Sequence, residues 1–227
     1  MLVVGLTGGI STGKSTVSAI LKTHHIPIID ADVIARQVVQ PHTRALRKIT
    51  RAFGQDILLP DGTLDRKKLG SIVFNDEEKR KELNGIVHPA VRWRMVWEVV
   101  GCWLRGEKWC VLDVPLLIEG GLWRYVGLVV VVYCSADIQL VRLMSRDGSS
   151  REEASARLNS QMPISSKIEY AQLVIDNSGT RAELASQVSV FVHKVEQSVS
   201  TPRWLLCWLI PPLGLLCAGW TVLGRLL

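Results

Sequence analysis

The sequence predicts an α/β fold in which a parallel five-stranded sheet is flanked by helices. Two observations predict this fold: five short, apolar and mostly β-branched runs alternate with longer helix-like segments, and a glycine-rich loop directly follows the first run. Continuous apolar strands are typical of parallel sheets that are buried on both faces. A length of 227 residues and an apolar share of 48% suit one domain with its own core, and they argue against a disordered chain.

The predicted strands cover residues 2–6, 26–29, 109–113, 128–134 and 173–176, with a helix to about Leu21 after the glycine loop. Residues 33–108, between the second and third strands, are too many for a simple crossover, and we expect them to form a helical insertion over the substrate. Residues 142–165 are predicted to form a lid. Together with the five strands, the insertion and the lid belong to one predicted catalytic domain, residues 1–197.

The glycine-rich loop matches the pattern G-x-x-x-x-G-K-[ST] between a strand and a helix. Its residues are Gly8, Gly9, Ile10, Ser11, Thr12, Gly13, Lys14 and Ser15, followed by Thr16. The glycines allow backbone N–H groups to turn toward phosphate oxygens, and the helix N-terminus favours negative charge. Lys14 can reach the β- and γ-phosphates of ATP. The loop predicts a P-loop NTPase fold similar to that of the nucleoside-monophosphate kinases.

Carboxylates end two of the other strands. Asp113 closes the third strand and, with the Ser15 hydroxyl, is predicted to hold Mg²⁺. Asp30 and Asp32 follow the second strand. Ligands of open parallel sheets bind beyond the carboxyl ends of the strands, so the loop and these carboxylates are predicted to share one edge. A carboxylate there could take the proton of an acceptor hydroxyl, although each could instead cap a turn.

Arginines are concentrated after the fourth strand, at Arg142, Arg146, Arg151 and Arg157. Phosphoryl transfer spreads negative charge over phosphate oxygens, and arginines on a closing lid would stabilise it. The alternative for each arginine is a solvated helix face.

Composition narrows the function classes. The formal charge of +6 is scattered among acidic residues, which argues against a nucleic-acid-binding track. The five cysteines form no metal-binding pattern and no disulfide framework, so we expect neither zinc nor a structural disulfide. The N-terminal apolar run is too short for a signal peptide and lacks a basic start, so we expect the domain to face the cytosol.

The C-terminal residues 204–224 carry no charge and are long enough to cross ~30 Å of hydrocarbon. Trp204, Trp208 and Trp220 suit the interfacial aromatic belts of a membrane span. These features predict a single membrane-anchoring tail after a linker at 198–203. The alternative is an apolar C-terminal helix that packs on the domain.

Several stretches together resemble dephospho-coenzyme A kinases. They are residues 5–16, 29–36, 61–66, 69–74, 83–91, 114–119 and 174–179, together with Arg146, Asp147, Arg157 and Gln161. The resemblance covers about residues 2–195 in the order of the family, which makes it far more specific than the loop alone. Ser11 departs from the family pattern, because many relatives have glycine there. Gln172 also departs, because its position before the last strand is usually acidic in the family.

The resemblance implies ATP-dependent phosphorylation of the ribose 3′-hydroxyl of dephospho-coenzyme A, which gives coenzyme A and ADP. It implies that Asp32 is the base and that Arg36, His88 and Pro89 bind the acceptor. Arg146 and Arg157 would act from the lid. The tail resembles that of membrane-associated eukaryotic members, in the endoplasmic reticulum or the mitochondrial outer membrane.

Two alternatives to this function stay open at the level of sequence. One is another small-molecule or nucleotide kinase of the same fold. The other is a membrane-tethered nucleotide-binding switch, although the chain lacks the Asn-Lys-x-Asp pattern that reads guanine.

Overall fold

The computed structural model describes residues 1–74, 76–199, 204–205, 208, 214, 216, 219–220 and 222–224. Its strands are β1 (Leu2–Gly8), β2 (Ile28–Asp30), β3 (Trp109–Asp113), β4 (Leu128–Tyr133) and β5 (Leu173–Asp176). Its helices are α1 (Lys14–Thr23), α2 (Ala31–Gln37), α3 (Arg44–Phe53), α4 (Arg66–Phe74), α5 (Glu77–Leu104), α6 (Ala136–Asp147), α7 (Arg151–Asn159), α8 (Ile164–Ile168) and α9 (Arg181–Ser198). Short 3-10 turns lie at Gln55–Ile57 and Leu122–Tyr125.

The five strands form one sheet in the order β2-β3-β1-β4-β5, which confirms the predicted fold class. β1 is central and pairs in parallel with β3 and β4, and β4 pairs in parallel with β5. In this register Leu6 lies beside Asp113, and Gly8 lies beside Val132. The carboxyl ends of β1, β3 and β4 therefore share one edge, from which the glycine loop leaves the sheet.

Apolar side chains on these strands explain why the sheet is buried. Val4 and Leu6 of β1 pack with Val130 and Val132 of β4 in one cluster, which also contains Phe191 of α9. All five are at most 2% exposed, and burying each such side chain contributes about 1.5–3 kcal/mol. The loop is thus attached to a rigid platform.

Where strand and helix boundaries differ from the predictions, the difference is one or two residues. β2 begins at Ile28, two residues later than predicted. His25 adopts a left-handed conformation with φ 58°, and Pro27 has no N–H to donate to a neighbouring strand. Asn75, directly before Asp76, Glu77 and Glu78, is of a residue type that often caps a helix, and it lies outside the described residues.

The chain divides into two compact units. One consists of Met1–Ile29 and Cys102–Leu227, and it carries the glycine loop and most of the sheet. The other, Asp30–Gly101, contains α2, α3, α4 and most of α5. Its own core is built around four buried side chains, Val39, Ile49, Ile57 and Leu69. The predicted insertion at 33–108 largely coincides with this unit, while its role in covering the substrate stays a prediction.

Eleven of the 21 residues in the predicted membrane span at 204–224 lie outside the described residues. Within the part of the chain that the structure describes, no helix combines the length and the apolar character needed to cross a membrane. Two described residues of this segment contact the end of α5 and the turn after it. The Trp204 indole donates to the Glu107 carbonyl at 3.1 Å, and the Trp208 indole donates to the Trp103 carbonyl at 2.9 Å.

Candidate active site

The glycine loop has the conformation that its sequence predicts. Gly13 has φ 90° at the start of α1, in the left-handed region where glycine is favoured. A Cβ on Gly8 would lie 2.6 Å from Thr12 Oγ1, and one on Gly9 would lie 2.6 Å from Gln139 Oε1. Close approach of neighbouring atoms therefore favours glycine at positions 8 and 9, and the left-handed backbone favours it at position 13.

Side chains from distant segments hold the loop in this shape. Thr12 is fully buried, and its hydroxyl donates to the Gly9 carbonyl at 2.9 Å. The buried Asn177 follows β5, and its side-chain amide donates to the Thr12 carbonyl at 2.8 Å. The Gln139 amide donates to the Cys134 carbonyl at 3.1 Å, which fixes the side chain that packs against Gly9. The loop is thus preorganised by α6 and by the segment after β5.

The carboxylate that ends β3 faces the lysine of the loop. The Lys14 ammonium is ion-paired with Asp113 Oδ1, and the Ser18 hydroxyl donates to Asp113 Oδ2 at 2.5 Å. Asp113 is 3% exposed, so the pair stabilises a charge that would be costly to bury alone. Ser18 lies one helical turn after Lys14, which places both side chains on the same face of α1.

The predicted lid arginines share one carboxylate. Asp147, at the end of α6, accepts from Arg146 Nε at 2.7 Å and from Arg157 Nη1 of α7 at 2.7 Å. Hydrogen bonding from Arg146 and the charges of both guanidinium groups hold the pKa of the Asp147 carboxyl below its usual value. The same hydrogen bond raises the pKa of Arg146. Arg142 is half-buried on α6, while Arg151 is exposed at the start of α7.

The predicted acceptor-binding residues all lie in the unit Asp30–Gly101. Asp30 caps α2, because its Oδ1 accepts from the backbone N–H groups of Asp32 and Val33 at 2.9 and 3.0 Å. Asp32 and Arg36 are exposed on α2, and His88 and Pro89 are exposed on α5. The alternative of turn capping thus applies to Asp30, whereas the Asp32 carboxylate is exposed to solvent.

A cavity of about 370 Å³ borders the glycine loop. Gly9 and Ile10 form one wall of this cavity. The rest is formed by residues of α6, α7 and α8, among them Gln139 and Leu158, and by the connection between α7 and α8, which includes Met162. The loop is therefore open to a ligand on the side of the predicted lid.

Comparison with known proteins identifies the family. The family model for dephospho-CoA kinase matches residues 2–183. The chain belongs to the dephospho-CoA kinase family. It is 53% identical to a dephospho-CoA kinase of Geobacillus kaustophilus over 187 residues, which cover 82% of this chain and 93% of that protein. It is 44% identical to a dephospho-CoA kinase of Oryza sativa, with 88% and 87% of the two chains covered.

A solved structure of a dephospho-CoA kinase from Campylobacter jejuni superposes on the chain with a TM-score of 0.70 at 30% identity. The match covers 87% of this chain and 98% of that one. It extends the similarity to the dephospho-CoA kinase family from sequence to fold.

The loop fits the triphosphate that a dephospho-CoA kinase requires. Among the described residues, the buried Ser11 Oγ of the loop has no hydrogen-bond partner, so a polar group of the loop is left for a ligand. Ser15 is exposed at the start of α1 and could contribute its hydroxyl to a magnesium ion. Both oxygens of Asp113 are engaged by side chains, which favours contact with the ion through water.

Sequence reasoning missed four residues of this dephospho-CoA kinase site. Three of them, Ser18, Gln139 and Asn177, are described above, and the fourth is Lys167, whose ammonium donates to the Gly8 carbonyl at 3.3 Å. Ser18 could have been found from its spacing of four residues after Lys14. Asn177 lies inside the stretch 174–179, which carried part of the family resemblance. No pattern in the sequence pointed to Gln139 or Lys167, since polar residues in helices usually face solvent.

Proposed function

We propose that this chain transfers the γ-phosphate of ATP to the ribose 3′-hydroxyl of dephospho-coenzyme A, giving coenzyme A and ADP. The observation that carries the proposal is the preorganised glycine loop, with Lys14 paired to Asp113, in a chain that matches the dephospho-CoA kinase family over residues 2–183. Kinases of this fold act by positioning and by electrostatic stabilisation, for which such a site is suited.

The loop residues bind and orient the triphosphate. Backbone N–H groups between Gly8 and Gly13 bind phosphate oxygens, and the N-terminus of α1 adds a favourable dipole. The Lys14 side chain is 18% exposed, so its ammonium can exchange Asp113 for phosphate oxygens. ATP with Mg²⁺ supplies the transferable phosphoryl group, with Ser15 and Asp113 as the residues that hold the ion.

Asp32 accepts the proton of the 3′-hydroxyl as the bond from that oxygen to phosphorus forms and the bond to the ADP oxygen breaks. Arg36, His88 and Pro89 bind the acceptor. Arg146 and Arg157 neutralise the charge that spreads over the transferred group, from positions fixed by Asp147. Support for these roles comes from residue type, from exposure and from the family resemblance.

The apolar residues 204–224 attach the domain to an intracellular membrane, the endoplasmic reticulum or the mitochondrial outer membrane, and the catalytic domain faces the cytosol. This part of the proposal is supported by the uncharged stretch and its terminal tryptophans.

The test is a coupled assay of the purified chain with ATP, Mg²⁺ and dephospho-coenzyme A, in which coenzyme A is identified by mass spectrometry. Nucleoside monophosphates and sugars serve as competing acceptors. We expect the kcat/KM for dephospho-coenzyme A to be at least about 10³-fold above that for the other acceptors. Sites that form hydrogen bonds to their substrate discriminate against analogues on this scale. Faster transfer to a nucleotide or a sugar would show that the chain is a different kinase of the same fold.

A further inference from the structure

Lys167 on α8 is a fully buried lysine, with none of its surface exposed. A buried ammonium is costly unless it is paired and hydrogen-bonded. The Lys167 ammonium has three polar contacts: it donates to Glu119 Oε1 at 2.8 Å, to the Gly8 carbonyl at 3.3 Å and to the Pro115 carbonyl at 3.4 Å. The ammonium is thus committed to its partners within the protein, and it is too enclosed to touch a substrate.

Two of these partners belong to the ends of the central strands. Gly8 is the last residue of β1 and the first of the glycine loop, and Pro115 lies two residues after Asp113. The Pro115 carbonyl also accepts from the Thr7 hydroxyl at 2.8 Å. One ammonium therefore links the start of the phosphate-binding loop to the segment that carries the carboxylate opposite Lys14.

The contact with Gly8 fixes the direction of the peptide group that opens the loop. In a planar trans peptide the C=O and the following N–H point to opposite sides. Because the Gly8 carbonyl is directed to Lys167, the Gly9 N–H is held on the other side of the peptide plane. A charged donor on the carbonyl also polarises the peptide, which makes that N–H a stronger donor.

We propose that Lys167, supported by Glu119, is a positioning residue for phosphoryl transfer: it orients and polarises the Gly8–Gly9 peptide so that the loop binds the phosphates of ATP. The inference rests on the proposed function. The inference also gives α8 a role. This helix follows the predicted lid helix α7, and Lys167 anchors it against the glycine loop.

The test compares Lys167→Met and the double variant Lys167→Met/Glu119→Met with the full chain, using unfolding midpoints, ATP dissociation constants and steady-state kinetics. The single variant leaves Glu119 without its cation, while the double variant removes both charges and should recover stability. We expect both variants to bind ATP about tenfold or more weakly and to lose about tenfold or more in kcat/KM. This is the usual cost of removing a side chain that orients a ligand-binding group. Lys22→Met, an exposed lysine in the last turn of α1, is the control and should behave like the unmodified chain.

Two results would overturn the inference. One is a folded Lys167→Met variant with unchanged ATP affinity and kcat/KM. The other is a double variant that recovers both stability and ATP affinity, since a purely structural ion pair would behave in that way. If Lys167→Met does not fold, Glu119→Gln replaces it, because the Glu119 side chain is 24% exposed and its amide can be solvated. Glu119→Gln is expected to weaken ATP binding about threefold or more, and unchanged binding would refute the proposal.

The ATP dissociation constant keeps this test separate from the proposed function. If the unmodified chain does not phosphorylate dephospho-coenzyme A, the proposed function is refuted. The difference in ATP affinity between that chain and Lys167→Met would still decide the role of Lys167.

Discussion

The ammonium of Lys14 is ion-paired with the buried carboxylate of Asp113, 99 residues further along the chain. The pair joins the phosphate-binding loop of β1 to the end of the neighbouring strand β3. Replacing Lys14 with alanine removes the cation that the loop presents to the β- and γ-phosphates. We expect turnover to fall by at least about 10³-fold in the coupled assay. Lys22→Ala, at the exposed end of α1, should retain full activity, and a Lys14→Ala variant with more than a tenth of normal turnover would contradict the assignment.

Asp32→Asn is expected to reduce kcat by about 10²–10⁴-fold, the usual contribution of a general base. The change removes a negative charge and a proton acceptor while keeping the shape of the side chain. The ATP dissociation constant should stay within about twofold, because the proposed role of Asp32 concerns the acceptor hydroxyl. Asp56→Asn, an exposed carboxylate of the same unit, is the matched control. If Asp32→Asn keeps near-normal turnover, another group is the base.

Substitutions of Ser11 test the backbone conformation of the loop. It has φ 59°, in the left-handed region that favours glycine, and its buried hydroxyl lacks a partner in the described part of the chain. Ser11→Gly should leave the free energy of unfolding unchanged or raise it by up to about 1 kcal/mol, because relief of strain is partly offset by the greater freedom of the unfolded chain. Ser11→Ala keeps the strain and removes the hydroxyl. Denaturant unfolding of the two variants separates these effects. A drop of ATP affinity in both would instead assign the hydroxyl to phosphate binding.

Asp147→Asn separates the two lid arginines. Without the carboxylate, Arg146 and Arg157 lose the group that holds them together, and their positive charges repel each other. We expect kcat to fall about threefold to tenfold, while the unfolding midpoint changes little because exposed ion pairs add little stability. Because the pKa of the Asp147 carboxyl is depressed, its favourable contribution is present at neutral pH and is lost only as acid lowers the pH through that pKa. A kcat equal to that of the unmodified chain across pH 6–8 would argue against a catalytic lid.

Truncation after Pro202 addresses the proposed membrane attachment. Residues 1–202 contain every proposed catalytic residue, so the shortened chain should keep its specific activity and move to the soluble fraction after high-speed centrifugation. The full chain should pellet with membranes and resist extraction by carbonate. If the truncated chain still pellets, the membrane-binding surface lies within the domain. If the full chain stays soluble, the apolar tail packs on the domain, as the contacts of Trp204 and Trp208 would then explain.

Local patterns predicted the sheet and the loop because the decisive information lies within short stretches. The β3 and β5 boundaries agree with the predicted 109–113 and 173–176, since each is an apolar run of strand length. The glycine loop was predicted from eight consecutive residues. The partners that hold it were not, because Lys167 and Asn177 reach it across sequence separations of 159 and 165 residues. A lysine in a helix usually faces solvent, and only the tertiary fold shows that Lys167 is buried.

The central place of β1 in the sheet has a consequence for synthesis of the chain. Leu2 pairs with Trp109 and Val4 pairs with Leu128, so β1 lacks both neighbouring strands until the chain has been synthesised beyond these partners. The Thr12 carbonyl also has to accept its hydrogen bond from Asn177, which is synthesised later still. The loop therefore lacks this support until Asn177 has been synthesised, and β1 stays an unpaired apolar strand until β3 and β4 have followed it.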